Sequence, residues 1–136
     1  SFDVAYSSLA FHYLTHFDRL AAAVHAGLVP AGKLVFSVEH PIYTAPSHPH
    51  WIPGASGNVW PLDCYLVQGA RSTDWLADGV IKQHRTVATY VNTLIAAGFS
   101  IAHVEEWGPT ADQIAAHPEW VNERERPPFL LISAQR

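Results

Sequence analysis

The chain has 136 residues, 49% of them hydrophobic, and a formal net charge of −4 at pH 7. This length and composition allow one domain with a buried core and exclude a disordered chain. The acidic balance, without any basic cluster, argues against a surface for nucleic acid or for an anionic membrane. No apolar run approaches the ~20 residues that span a bilayer. The single cysteine, Cys64, cannot form an internal disulfide, which predicts a cytoplasmic protein.

The first forty residues predict a strand, a crossover helix and a second strand. Residues 2–6 form an apolar run that ends in Ser7 and Ser8, and residues 33–38 form another. Between them an apolar residue recurs every three or four positions, at Phe17, Leu20, Ala21, Val24 and Leu28. That spacing places one apolar stripe on a helix, and Thr15 is its predicted N-cap, with Asp18 completing a capping-box pattern. Because the two strands of such a unit are parallel, both C-terminal ends lie at one edge of the sheet, where open α/β folds bind ligands. We therefore expect Ser7, Ser8 and His40 on this rim.

Residues 41–79 interrupt this alternation with five prolines, four glycines and five aromatic residues. A loop of this length inside a compact domain is usually functional and often a lid. With the extended segment that follows, it predicts a lid-like insertion over residues 41–85. Its aromatic residues indicate either a ligand pocket or a small core of the insertion itself. They are Tyr43, Trp51, Trp60, Tyr65 and Trp75.

The rest of the chain predicts a helix from Thr86 to Gly98, a strand over 99–107, a short helix after Thr110 and a last strand over 129–134. The last connection has no crossover-helix pattern, so the final strand should run antiparallel, either beside the preceding strand or beside the second. The charged run over residues 123–126 indicates a solvated face.

Several segments resemble the C-terminal half of a class I S-adenosylmethionine-dependent methyltransferase. They are FDVAYSSLAFHYL at residues 2–14, the turn LVPAGKL at residues 28–34 and AAGF at residues 96–99. In that family they correspond to the fourth strand with its helix, the turn into the fifth strand and the helix end before the sixth. The run at 129–134 is similar to the seventh strand, which inserts antiparallel between the fifth and the sixth. The resemblance implies an α/β fold with a partial Rossmann-like methyltransferase sheet of four main strands, S-adenosylmethionine as cofactor and a small-molecule methyl acceptor.

The chain also departs from this family. It contains no Gly-x-Gly-x-Gly loop and no acidic residue placed to hold the ribose. It contains no Met, and Ser1 leads directly into a strand. We therefore expect residues 1–136 to be a single, incomplete methyltransferase domain that is inactive alone. Such a domain leaves the strand edge at residues 2–6 open, where a homodimer can form. The alternative is a non-catalytic α/β domain that binds a protein partner through this edge.

The resemblance implies that Ser7, Ser8 and Leu9 line the methionine end of the cofactor. The alternative is that the two serines only cap the following helix. If the acceptor must lose a proton, His12 and His40 are candidates for a base or an orienting group. Each of these histidines can instead be bonded within the protein. His12 and His16 share a helix face, but no third metal ligand follows at a recognisable spacing, so no metal site is predicted.

Four residues of the insertion are candidates for contact with the acceptor. Tyr43 and Trp75 belong to its aromatic set. His84 and Arg85 end its extended segment, and Arg85 can pair with a substrate carboxylate. The alternative for Arg85 is an ordinary solvated charge.

Overall fold

The computed structural model describes residues 1–75 and 77–136, without the side chain of Trp75. The strands are β1 (Phe2–Ser8), β2 (Leu28–Glu39), β3 (Ile52–Gly54), β4 (Gly57–Val59), β5 (Gly69–Trp75), β6 (Ala77–His84), β7 (Ser100–Trp107) and β8 (Phe129–Gln135). The helices are α1 (Phe17–Gly27), α2 (Pro41–Thr44), α3 (Val87–Ala96) and α4 (Ala111–Ala116), with 3₁₀ helices at Phe11–Tyr13 and Pro118–Arg124. No helix in the described part is long and apolar enough to cross a membrane.

The main sheet has four strands in the order β1-β2-β8-β7. β1 pairs with β2 in parallel, and β8 lies antiparallel to both β2 and β7. The predicted strand–helix–strand unit and the antiparallel last strand are confirmed. Both pairings considered for the last strand occur together, because β8 is inserted between β2 and β7.

The core lies on one face of this sheet, under α1 and α3. The ring centroids of Phe11 and Phe36 are 5.0 Å apart, and those of Phe17 and Tyr90 are 5.2 Å apart. Full burial of one such ring contributes roughly 2–3 kcal/mol. Phe17 and Ala21 of the predicted stripe are buried in this core. The core therefore holds the first helix and the rim of the sheet in fixed relation.

The passage from α1 to β2 differs from the expectation. The helix ends at Gly27, and the predicted stripe residue Leu28 already belongs to β2. The β1 partner shifts from Leu28 to Lys33 between Phe2 and Val4, so the intervening residues bulge out of the ladder. Ala31 has a positive φ of 64°, a turn conformation that agrees with the turn predicted within residues 28–34.

The insertion is built from α2 and two antiparallel hairpins, β3–β4 and β5–β6, rather than from one long loop. Tyr43 stacks on Trp60 with centroids 5.5 Å apart, and Trp51 meets the edge of Trp60 at 5.1 Å. These three rings form a small core of the insertion, which was one of the two alternatives. The role of residues 41–85 as a lid stays a prediction.

Two of the three predicted helix caps are confirmed, and the third is wrong, because α1 has His16 rather than Thr15 at its N-cap and no side-chain cap. The hydroxyl of Thr86 accepts the Thr89 N–H at 3.1 Å at the start of α3. Thr110 and Gln113 form a reciprocal capping box at the start of α4.

β1 lies at one edge of the main sheet, and its Phe2, Val4 and Tyr6 side chains are exposed.

Candidate ligand-binding site

The rim at the ends of β1 and β2 contains a strained backbone position. Ser8 pairs with Ser37, and the next residue, Leu9, donates its N–H to the Ser37 carbonyl at 2.9 Å. Leu9 has a φ of 50°, in the left-handed region, which costs a leucine roughly 1–2 kcal/mol. Backbone strain of this kind clusters at ligand sites. The 3₁₀ helix that follows begins after Ala10 and has no side-chain cap, and neither has α1. The capping alternative for Ser7 and Ser8 is therefore wrong, and their contact with a cofactor stays a prediction.

His12 is buried and joins this rim to the end of β2. Its Nδ1 accepts the Glu39 N–H at 3.3 Å, which leaves the ring proton on Nε2. Burial, followed by the charges of Lys82 and Arg85, lowers the pKa of His12 to about 4. The neutral ring is thus a hydrogen-bond donor through Nε2–H near pH 7. These contacts agree with a core histidine, and the role of His12 as a base stays a prediction.

His40 follows β2 directly, and both of its ring nitrogens are engaged. Nδ1 accepts the Ile42 N–H at 2.9 Å and caps α2, while Nε2 contacts the Glu106 carboxylate. Burial lowers the pKa of His40, although the Glu106 contact opposes the shift. With Nδ1 as acceptor, Nε2–H donates to Glu106. His40 is therefore held as a neutral, oriented ring, and its catalytic role stays a prediction.

Glu39, the last residue of β2, was not singled out from the sequence. Its Oε1 pairs with the buried Lys82 ammonium at 2.7 Å, which ties β6 of the insertion to the main sheet. Its Oε2 is buried without a hydrogen-bond partner among the described residues. Its position in the sequence could have identified Glu39 as a candidate, because an acidic residue at the C-terminal end of a parallel strand lies where such sheets bind ligands.

Glu39 and Tyr43 both line two neighbouring cavities. The larger, about 540 Å³, lies among α2, the loop at residues 46–50 and β5. The smaller, about 460 Å³, has aromatic walls from Trp107 and Trp120. Both volumes are in the range of small-molecule sites. The structure thus brings the predicted Tyr43 to the end of β2, beside the predicted His40.

Arg126 corrects the prediction of a solvated face over residues 123–126. Only 4% of Arg126 is exposed, and its guanidinium lies 4.4 Å from the Tyr43 ring centroid and 4.3 Å from that of Trp60. A guanidinium is weakly hydrated and stacks well on aromatic faces, which explains its burial. Its Nη1 donates to Glu123 at 2.8 Å, while its buried Nε has no partner within the described part of the chain.

His84 is fully buried in the insertion. Its Nδ1 lies 2.7 Å from the Thr44 hydroxyl and its Nε2 lies 2.8 Å from the Tyr65 carbonyl. Burial lowers its pKa against the effect of the Tyr65 contact. Its predicted contact with the acceptor is not tested by this arrangement. The side chain of Trp75 lies outside the described residues, so the prediction for Trp75 is not addressed.

Arg85 is buried, so the alternative of a solvated charge is wrong. Its guanidinium donates to the carbonyls of Leu14 and Thr15 and lies 5.6 Å from the Phe17 ring centroid. It therefore clamps the segment before α1, and its predicted pairing with a substrate stays a prediction. Within residues 1–75 and 77–136, no three His, Cys, Asp or Glu side chains converge as metal ligands would.

No family model matches the chain. A crystal structure of an S-adenosylmethionine-dependent methyltransferase from Mesorhizobium loti is 58% identical, with a TM-score of 0.95, over 100% of this chain and 63% of that one. A Listeria monocytogenes protein assigned to the same kind of enzyme is 40% identical, with a TM-score of 0.87, over 100% of this chain and 62% of that one. An uncharacterized Haemophilus influenzae protein is 37% identical over 99% of this chain and 54% of its own length. The chain thus spans less than two thirds of these relatives.

Proposed function

Because the chain belongs to the class I S-adenosylmethionine-dependent methyltransferases, we propose that it takes part in methyl transfer to a small-molecule acceptor. The observation that carries this proposal is the rim itself. A strained Leu9 follows β1, and beside it β2 ends in Glu39, which lines two cavities of small-molecule size. The cofactor of this family, S-adenosylmethionine, supplies a methyl group on a sulfonium when it is bound.

Three residues of this chain suit the methionine end of the cofactor. The hydroxyls of Ser7 and Ser8 cap neither following helix, so both can serve a ligand. Leu9 has a left-handed backbone conformation, and strain of this kind is common in turns that bind ligands. We propose that these residues hold the amino-acid end and keep water from it.

The remaining cofactor contacts must come from outside these residues. The sequence contains no Gly-x-Gly-x-Gly loop, which in nucleotide-binding α/β folds gives the ligand its close backbone approach. We therefore propose that the chain acts as the C-terminal part of a longer, single methyltransferase domain and is inactive alone. Its span of 63% and 62% of the two methyltransferase structures supports this proposal.

On the acceptor side, position and exclusion of water are the main tasks of the protein. The insertion over 41–85 acts as a lid in this proposal, since the buried Lys82–Glu39 pair fixes its second hairpin to the sheet. His12 offers an N–H donor, and His40 fixes α2 beside the cavities. We keep Tyr43, Trp75, His84 and Arg85 as candidates that shape this side. A cytoplasmic location completes the proposal and is supported by the single cysteine.

The second candidate function is a binding domain that uses its open edge. Among the residues that the structure describes, β1 pairs with β2 and with no other strand, and Tyr6 is 74% exposed. Unpaired strand edges bind other strands, and a second copy of this chain supplies a matching one. We also propose a homodimer through residues 2–6, which fits this candidate and the methyltransferase equally.

The decisive experiment joins this chain to the part that it lacks relative to its relatives. A chimera would carry the part of the Mesorhizobium loti methyltransferase that this chain does not cover, followed by Ser1 to Arg136. We expect the chimera to bind S-adenosylmethionine in calorimetry, and the separate 136-residue chain to bind it far more weakly. Leu9→Pro in the chimera should abolish binding, because proline cannot adopt a positive φ. A folded chimera that does not bind the cofactor would contradict the proposed function.

A further inference from the structure

The cavity of about 460 Å³ has the composition of a site for a flat molecule. Its polar members are Glu39, Glu123 and Arg126, and its aromatic walls are Tyr43, Trp107, Trp120 and Phe129. The centroids of Trp107 and Phe129 are 5.9 Å apart, and those of Trp107 and Trp120 are 6.5 Å apart. Aromatic rings in such a group give a planar ligand both apolar area and stacking faces.

Two of these polar residues, Glu39 and Arg126, each carry one buried atom without a partner among the described residues. These atoms, Glu39 Oε2 and Arg126 Nε, are the only buried side-chain polar atoms without a partner in the described part of the protein. Leaving such an atom unpaired costs roughly 1–3 kcal/mol, and native structures rarely tolerate it without a reason. One is an acceptor and the other a donor, and both residues line the same cavity.

The charges around the cavity are already balanced. Lys82 lies 2.7 Å from the other oxygen of Glu39, and Glu123 accepts from Nη1 of Arg126 at 2.8 Å. A ligand therefore needs no net charge to be accommodated, and a carboxylate would meet both Glu39 and Glu123. This balance favours a neutral ligand.

A ligand can enter because one wall is weakly held. Both unpaired atoms are covered in the protein as it stands. The 3₁₀ helix Pro118–Arg124, which carries Trp120, contains no buried residue. A segment with so few buried contacts opens at low free-energy cost. In the proposed entry, the Pro118–Trp120 end of this helix moves away from Trp107, while Glu123 keeps its contact with Arg126.

We propose that this cavity binds a neutral, planar aromatic molecule through a hydrogen-bond donor to Glu39 and an acceptor to Arg126. Cyclic amides and aromatic hydroxyamides have this pattern. The molecule is the methyl acceptor, an assignment that rests on the proposed function. Binding itself does not rest on it and can be measured in the absence of S-adenosylmethionine.

The test uses ¹⁵N-labelled chain and three matched probes. 2-Quinolone carries an N–H donor beside a carbonyl acceptor, 1-methyl-2-quinolone lacks the donor, and quinoline lacks the carbonyl. We expect 2-quinolone to shift the Nε–H signal of Arg126 and the indole N–H signals of Trp107 and Trp120. Each control should bind roughly tenfold more weakly, as the loss of one hydrogen bond predicts. Equal shifts from all three probes, or no shift at Arg126, would overturn the proposal.

Variants separate binding from a merely structural role. Glu39→Gln should reduce the preference for 2-quinolone over 1-methyl-2-quinolone, whereas Glu105→Gln, an exposed residue of β7, should leave that preference unchanged. If Glu39 is only structural, Glu39→Gln lowers stability and the preference persists. A chimera that binds S-adenosylmethionine while no probe discriminates would refute this site and leave the proposed function standing. If the chain prefers 2-quinolone but the chimera does not bind S-adenosylmethionine, the proposed function is refuted and this site stands.

Discussion

The buried His12 should make the stability of the protein fall as the pH falls from 7 to 4. Its pKa is about 4 in the folded protein against an ordinary 6.5, so the unfolded chain binds more protons throughout this interval. The contribution of the neutral His12 to the free energy of unfolding is fully present above pH 6.5 and is lost as the pH falls toward 4. At 1.36 kcal/mol for each pH unit, the loss amounts to about 3 kcal/mol. That is a large fraction of the ~5–15 kcal/mol that stabilises a typical domain.

His12→Asn isolates this contribution. The Asn side-chain oxygen can accept the Glu39 N–H in place of Nδ1, and it does not titrate. The variant should be less stable at pH 7, because it loses the ring and its contact with Tyr13 at a centroid distance of 4.3 Å. The difference in free energy of unfolding between the unmodified protein and the variant should decrease by about 3 kcal/mol between pH 7 and pH 4. Burial also lowers the pKa of His40 and His84, so a shallower acid loss should remain.

The assay is urea unfolding followed by tryptophan fluorescence at intervals between pH 7.5 and pH 4. Agreement with far-UV circular dichroism would justify two-state free energies. His50→Asn, at an exposed position, is the matched control and should run parallel to the unmodified protein at every pH. If His12→Asn also runs parallel, His12 is not a neutral buried ring and the electrostatic account of the rim is wrong.

Three further predictions follow from the buried charges and the open edge. Lys82→Met should lower the free energy of unfolding in urea by roughly 3–5 kcal/mol, because it leaves the Glu39 carboxylate without its cation. Adding Glu39→Gln should restore part of that loss. If the losses of the two single variants simply add in the double variant, the two side chains do not interact as a pair. Arg126→Lys should cost about 1–2 kcal/mol in thermal unfolding, since lysine cannot stack as a plane, whereas Arg124→Lys at the exposed neighbour should be neutral. Tyr6→Lys should convert a dimer to a monomer in light scattering, and a protein that is monomeric without this change would contradict the edge pairing.

The fold could be predicted from the sequence wherever its signals are local. The stripe that includes Phe17 and Ala21 marked α1, and the hydroxyls of Thr86 and Thr110 marked two helix starts. The residue pattern alone left two pairings open for β8, because strand neighbours are set by long-range hydrogen bonds. The family resemblance implied an insertion between the two neighbouring strands, and the structure shows β8 between β2 and β7. The two hairpins of the insertion were read as a loop, since their short strands are dense in glycine and proline.

The site was less accessible from the sequence because its polar groups are defined by distant partners. Arg126 lies in a charged run that is typical of solvent-exposed residues, yet rings from the insertion bury it. Glu39 resembles an ordinary charge at a strand end until Lys82 and two cavities are placed around it. The His12 tautomer likewise depends on a backbone N–H that is 27 residues away in the chain. The residue types show that these side chains can bind a ligand or a proton, and only the tertiary contacts determine which partners they have.

Glu39 connects the two halves of the proposed site. Its backbone N–H is held by His12, next to the turn that follows β1, and its carboxylate is held by Lys82 of the insertion. The same side chain lines both cavities. A movement of the β5–β6 hairpin that breaks the Lys82 contact must therefore also alter the charge balance of the aromatic cavity. Because a buried carboxylate without a cation is costly, the closed position of the hairpin and an occupied cavity should stabilise one another. If the proposed lid and the proposed acceptor pocket are both correct, they form one cooperative unit, and Glu39 is the residue that they share.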